Sequence, residues 1–117
     1  MKDIESEEDI KAFVDAFYGK VMQDPLLSGF FQHVNWEQHM PVMYNFWSSI
    51  LLGSMKYSGL PFPKHQKFPL LPQHFDQWIQ LFIKSIDEHF EGTKAEEAKS
   101  RANMISKTFQ YKLGILE

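Results

Sequence analysis

The sequence has no cysteine, so a disulfide, an iron–sulfur cluster and a thiolate zinc site are all excluded. It also lacks an excess of positive charge, because 12 basic residues against 15 acidic ones give a formal net charge of −3 and a pI of about 5.9. A nucleic-acid partner is therefore not expected. No stretch reaches the roughly 20 apolar residues that cross a bilayer, and the N-terminal segment is acidic where a signal peptide would be basic and then apolar. We predict a cytoplasmic protein without a membrane partner.

Signals for β-strands are missing as well. The chain has no alternating apolar and polar runs and no Asn-Gly or Asp-Gly hairpin turn. What it does have is aromatic residues: 11 Phe, 4 Tyr and 3 Trp make up 15% of the 117 residues. Each large ring buries roughly 150–250 Å². The single domain predicted over residues 1–117 must therefore have a very dense core or enclose a ligand.

Two helices are predicted in the first half of the chain. Ser6 and Asp9 form a capping arrangement, and apolar residues then recur at spacings of three and four until the first helix ends near Asp24. Asn35 is placed to cap a second helix over Trp36–Leu52, with His39 on its inward stripe. A short apolar stretch connects the two helices.

Two further helices are predicted in the second half. The strongest helical pattern in the chain covers Pro72–Phe90, with proline in its first turn. Thr93 and Glu96 then form a predicted capping box at the start of the fourth helix. The fold class is therefore all-α, built from four main helices.

Between Gly53 and Gln73 the helical pattern fails, because prolines recur and allow at most a turn or two of helix near Lys64. About twenty residues of loop are unusual in so small a domain and are typically functional. This loop is too apolar for a solvated linker, so we expect it to pack against something. It also contains a histidine, His65.

Motifs for familiar catalytic chemistry are absent. None of the five histidines stands in a His-Glu-x-x-His spacing, and neither a phosphate-binding glycine loop nor a nucleophile motif occurs, so no catalytic residue is predicted. What remains is the loop histidine together with Tyr18, His39 and Trp78 on the inward stripes of three helices. The polar atoms of each of these side chains could find a hydrogen-bond partner in an ordinary protein core. Taken together, beside the apolar loop, they favour a ligand pocket.

The segments that form this arrangement occur in a specific order and spacing. They are Phe17-Tyr18, Leu27 to Phe31, Trp36-Glu-Gln-His39, Asn45-Phe-Trp47, Leu51-Leu-Gly53, Tyr57-x-Gly-x-Pro61-x-x-x-His65, Phe75-x-x-Trp78-x-x-Leu-Phe82, and Arg101-Ala102 to Ile105 with Phe109. In this order the chain resembles the truncated haemoglobins, most closely those of group III. The resemblance implies a truncated globin fold, a two-over-two helical sandwich with a long proximal loop.

The resemblance also implies a cofactor, haem b (iron protoporphyrin IX), with His65 as the proximal ligand of the iron. Tyr18, His39 and Trp78 match the distal side, where hydroxyl, imidazole and indole groups can donate hydrogen bonds to a bound diatomic molecule. The His39 side chain could instead point toward solvent. Pro41, which we place in the first turn of the second helix, could displace His39 from the inward direction. The other haem neighbours that the resemblance implies could equally be core residues: Phe31, Met43, Phe46, Tyr57, Phe62, Phe82 and Ile105.

The function implied is binding of O₂, and of NO or CO, at the haem iron. Redox chemistry such as NO dioxygenase or peroxidase-like activity would need an external reductant supplied by an unidentified reductase, and the protein is expected to be a monomer. The alternative is a cofactor-free helical protein-interaction module whose aromatic surface docks a partner helix.

Overall fold

The structure is a computed structural model that describes residues 1–32, 34–54, 71–112 and 114. Within these residues the chain forms helices and turns and no strand, as predicted for an all-α protein. Its elements are α1 (Glu7–Gln23), a 3₁₀ turn (Ser28–Phe31), α2 (Trp36–Leu52), α3 (Pro72–Asp87) and α4 (Thr93–Lys112). No helix in this part of the chain combines the length and apolar character needed to cross a membrane.

The predicted cap of α1 is confirmed. The Ser6 hydroxyl accepts the Asp9 N–H at 3.2 Å, and the Asp9 carboxylate accepts the Ser6 N–H at 3.1 Å. Asp24 ends the helix and accepts the N–H groups of Leu26 and Leu27 at 2.9 and 3.1 Å. These short polar side chains satisfy amides that the helix and turn leave unpaired.

The bounds predicted for α2 are also confirmed. The Asn35 side chain accepts the N–H of Gln38 at 3.4 Å, and Gly53, at φ 67°, ends the helix in the left-handed region. Our placement of Pro41 in the first turn is wrong, because it lies in the second turn of the helix. It therefore removes the amide that would pair with the carbonyl of Glu37. Glu37 is exposed, so water can take that amide's place.

Helix α3 ends at Asp87, three residues before the predicted end at Phe90. The N–H groups of His89 and Phe90 both bond to the carbonyl of Ile86, so the chain tightens into a turn while Phe90 stays buried. At the other end, the N–H of Leu71 donates to Nδ1 of the buried His74 at 2.8 Å. The His74 side chain therefore takes part in capping the N-terminus of α3.

The capping box predicted from Thr93 and Glu96 is wrong. Helix α4 already includes Thr93, and the N–H groups of Lys94 and Ala95 donate to the two carboxylate oxygens of Asp3, each at 2.9 Å. A residue 91 positions away in sequence thus caps this helix. A carboxylate at this position also interacts favourably with the positive end of the helix.

Helix α1 packs against both α2 and α3, and α4 packs against α3 and α2. At the centre, the fully buried Phe13 contacts Trp47 and Phe82 edge to face, with ring centroids 5.9 and 5.7 Å apart. Edge-to-face pairs of this kind each contribute about 0.5–1.5 kcal/mol beyond the area they bury. This core therefore accounts for part of the aromatic excess of the sequence, and a further group of rings, Tyr18, Phe31 and Trp36, lies where α1 meets the start of α2.

Candidate functional site

Tyr18 and His39 lie against each other where α1 meets the start of α2. Their ring centroids are 5.1 Å apart and the rings are nearly perpendicular, at 85°. The side chain of Tyr18 is buried, and that of His39 is partly buried. The sequence left open whether His39 points inward or toward solvent, and in the structure it points inward.

The Nε2 atom of His39 is buried and has no hydrogen-bond partner, and within the residues that the structure describes it is the one buried side-chain polar atom of this kind. Leaving such an atom unpaired costs about 1–3 kcal/mol. Burial lowers the pKa of His39, so its imidazole is neutral near pH 7. A neutral imidazole with a free nitrogen can donate to, or accept from, a small polar ligand.

Tyr18 supplies a second polar group beside this nitrogen. Burial raises the pKa of Tyr18, and no hydrogen bond contributes to that shift. The hydroxyl therefore stays protonated and is available as a donor. Two protonated or neutral groups in apolar surroundings favour a polar but uncharged ligand over an ion.

Trp36 is the residue that the sequence analysis missed at this site. Its ring contacts Tyr18 at 5.3 Å and His39 at 5.4 Å, both edge to face, and lies nearly parallel to Phe31 at 6.2 Å. Phe31, predicted as a pocket residue, also contacts Tyr18 at 6.3 Å. The spacing of three between Trp36 and His39 could have signalled a shared helix face.

Trp78 lies on the other side of Phe17 from the tyrosine–histidine pair. Phe17 contacts Tyr18 at 4.9 Å and Trp78 at 5.6 Å, and the Trp78 ring stacks on Phe82 at 6.0 Å. The rings in contact with Trp78, among those described, do not include Tyr18 or His39. Two of the three predicted distal residues are therefore in direct contact, and the third is one ring away.

The other predicted site residues divide into two groups. Four lie in the buried core: Met43, Phe46, Phe82 and Ile105. Three lie outside the described residues: His65, Tyr57 and Phe62. The structure thus shows where Tyr18, His39 and Trp78 lie, whereas their distal roles and the predicted iron ligand stay predictions. Within the described ranges, no three His, Asp or Glu side chains come close enough to hold a metal ion together.

An apolar cleft of about 270 Å³ lies on the outer side of Tyr18 and Trp36. Its other lining residues come from α1 and α2: Asp15, Gly19, Met22 and Met40. Because Tyr18 and Trp36 also contact His39, their two rings stand between this cleft and the histidine. His39, which is partly buried, is not among the residues that line the cleft.

Comparisons with known proteins agree with this arrangement. The family model described as bacterial-like globin matches residues 2–111. A group 3 truncated haemoglobin from Campylobacter jejuni is 33% identical over 119 aligned positions, which cover 93% of this chain and 94% of that protein. The crystal structure of a group III truncated haemoglobin from Campylobacter jejuni superposes with a TM-score of 0.83 at 30% identity, covering 97% of this chain and 95% of the other.

Four helices arranged in this way, with a tyrosine and a histidine in contact between the first two, have the architecture of a truncated globin. The chain belongs to the bacterial-like globin family and, within it, to the group III truncated haemoglobins. The predicted family and fold class are both confirmed. Membership of this family implies that the chain binds haem.

Proposed function

We propose that this chain binds haem b with His65 as an iron ligand, and that Tyr18, His39 and Trp78 act on O₂ or another diatomic ligand bound there. The observation that carries the proposal is the buried, unpartnered Nε2 of His39 in contact with Tyr18. An orphan nitrogen next to a protonated hydroxyl suits a small polarisable ligand, which would satisfy both groups.

The residues present fit a haem group. The polar atoms lie at the edge of a core that is otherwise aromatic and aliphatic, as a flat apolar macrocycle requires. Thiolate ligation is excluded because the chain has no cysteine. The resemblance to the truncated haemoglobins makes the imidazole of His65 in the loop the expected ligand.

When bound, haem supplies an iron centre that takes diatomic ligands. The Tyr18 hydroxyl would donate a hydrogen bond to the partly negative end of such a ligand, and the indole N–H of Trp78, from α3, would be a second donor. His39 adds a neutral imidazole, which brings no net charge and can donate or accept one hydrogen bond. Because these side chains come from three helices, the ligand is held by groups whose separation the helix packing fixes.

Several donors to one ligand slow its release, which suits chemistry better than transport. We propose that the protein uses bound O₂ in redox reactions, such as conversion of NO to nitrate or a peroxidase-like reaction, with electrons from a separate reductase. In this proposal the protein acts as a monomer.

The test is an optical spectrum of the haem-loaded protein as isolated, reduced, and exposed to CO, together with the same spectra for His65→Ala. We expect a Soret band that shifts on CO binding, and a large loss of haem affinity in His65→Ala. The matched control is His89→Ala, at an exposed histidine after α3, which should bind haem normally. Equal haem affinity in both variants would show that His65 is not the ligand.

Thermal unfolding distinguishes the proposed function from the alternative, a cofactor-free interaction module. A ligand that binds only the folded state raises the unfolding temperature by mass action. We expect a clear upward shift when haem is added, and a module that needs no cofactor would show none.

A further inference from the structure

Trp36 contacts three of the other aromatic and polar side chains of the site. It is the first residue of α2, directly after the Asn35 cap, and its ring contacts Tyr18, His39 and Phe31. Because His39 follows three positions later, both side chains project from the same turn of the helix. The cap at Asn35 thus sets the starting point from which both side chains project.

Packing holds the imidazole of His39 in place. Its Nε2 atom has no hydrogen-bond partner, and the rings of Tyr18 and Trp36 contact it from two directions. The three centroid distances, 5.1, 5.3 and 5.4 Å, form a closed triangle of edge-to-face contacts. These two contacts restrict the orientations that the His39 ring can adopt.

Trp36 also lines the apolar cleft, together with Met22 and Met40. Removing its ring would join this cleft to the side of the site that holds His39. The imidazole could then turn toward water, and the Tyr18 ring would lose one of its two contacts in the triangle. Both groups would become hydrated, and a hydrated donor is a weaker partner for a ligand.

We propose that Trp36 is a positioning residue that fixes the orientations of Tyr18 and His39 toward the ligand and separates His39 from the cleft. This inference rests on the proposed function, since it assigns Trp36 a role in the site where the diatomic ligand binds. It assigns to Trp36 no contact with the ligand itself.

The experiment compares Trp36→Leu, which keeps apolar bulk without a ring, with the conservative Trp36→Phe. In the CO form of the haem-loaded protein, the C–O stretching band reports the hydrogen bonds to the ligand. We expect several or broadened bands in Trp36→Leu and about tenfold faster O₂ dissociation, the size expected when one hydrogen bond to the ligand is lost. Trp36→Phe should keep the wild-type band and dissociate O₂ within about twofold of the wild-type rate, because it retains an aromatic edge.

The matched control is Tyr44→Ala, which also removes an aromatic ring from α2. Tyr44 packs at the same helix pair but bonds to Asp15 on α1, and its ring lies outside the Tyr18–Trp36–His39 triangle. This variant should lose stability while keeping the C–O band and the dissociation rate of wild type. A general loosening of the α1–α2 contact would instead change both variants alike.

A second measurement separates this inference from the proposed function. Nuclear Overhauser effects between the ring protons of Tyr18 and His39 can be recorded on the full chain, in the CO form or, if the chain takes up no haem, as purified. They should weaken in Trp36→Leu and persist in Trp36→Phe. If Trp36→Leu does not fold, Trp36→Met, whose flexible side chain fills irregular gaps, replaces it.

A wild-type chain that binds no haem overturns the proposed function, and the Overhauser effects then decide the role of Trp36 alone. A haem-loaded Trp36→Leu protein with the wild-type C–O band, dissociation rate and Overhauser effects overturns the role of Trp36 and leaves the proposed function standing.

Discussion

The carboxylate of Asp3 fills the space that a side chain at Gly92 would need. A Cβ atom at Gly92 would lie 2.6 Å from Cγ of Asp3, and Gly92 has φ 128°, where side chains are strained. The same carboxylate accepts the N–H groups of Lys94 and Ala95. Glycine at position 92 is therefore a condition for the cap that starts α4.

Gly92→Ala should destabilise the protein by about 2 kcal/mol or more, because the methyl group both strains the backbone and displaces the Asp3 carboxylate from the helix end. Urea unfolding measures this loss directly. Gly19→Ala is the control, since Gly19 lies inside α1 with nothing within 4 Å of a new Cβ. Alanine there should stabilise by up to about 1 kcal/mol. If both variants change the unfolding free energy in the same direction, this account of Gly92 is contradicted.

Asp3→Asn should lower the unfolding free energy by about 1 kcal/mol at pH 7, because it removes the charge from the α4 cap. Burial by itself would raise the pKa of Asp3, but the hydrogen bonds from the N–H groups of Lys94, Ile4 and Ala95 lower it overall. A lowered pKa gives a contribution that is present above the unfolded value, about 3.8, and is lost as the pH falls through the folded value. Between pH 5 and pH 2, the unfolding free energy measured with urea should therefore fall less steeply in Asp3→Asn than in wild type, and parallel curves would refute this role.

The haem-free protein should lose stability as the pH falls below about 6.5, in part because of His39. Burial lowers the pKa of His39 in the folded state, so the unfolded chain takes up its proton first. His39→Phe removes this titration and should make unfolding less dependent on pH between 7.5 and 5. If the unfolding free energy depends equally on pH in wild type and His39→Phe, His39 is not held neutral in the folded state.

Tyr18→Phe should speed O₂ dissociation from the haem-loaded protein about tenfold, because the variant keeps the ring but lacks the hydroxyl donor. Tyr44→Phe is the matched control, since the Tyr44 hydroxyl bonds to Asp15 on the outer side of the same helix pair. Stopped-flow displacement by CO gives both rates. A Tyr18→Phe rate equal to that of wild type would remove Tyr18 from the proposed ligand contacts.

Tyr18→Phe and Trp78→Phe should have non-additive effects on that rate. If both groups donate to one ligand, removing the second donor changes less, or more, than it does in wild type, with a coupling of about 0.5 kcal/mol or greater. Phe17 separates the two rings, so direct contact between them does not complicate the cycle. Strictly additive effects would indicate that the two groups do not share a ligand.

Much of the fold could be predicted from the sequence because helix signals are local. The Ser6–Asp9 cap and the bounds of α2 depend on residues within a few positions of each other, and the structure confirms both. The end of α3 was predicted three residues too late, since apolar Phe90 continues the helical spacing although the backbone has already turned. Periodicity reports which residues are buried and is less informative about where the backbone leaves the helix.

The sequence by itself determined the four helices and the inward stripes that contain Tyr18 and His39, because the period of a helix and the chemistry of its caps are set by neighbouring residues. Only the tertiary structure decided that Trp36 completes the pair, that Phe17 separates it from Trp78, and that Asp3 rather than Thr93 caps α4. These contacts join residues from different elements, so they depend on how the helices cross, and no local pattern encodes that geometry.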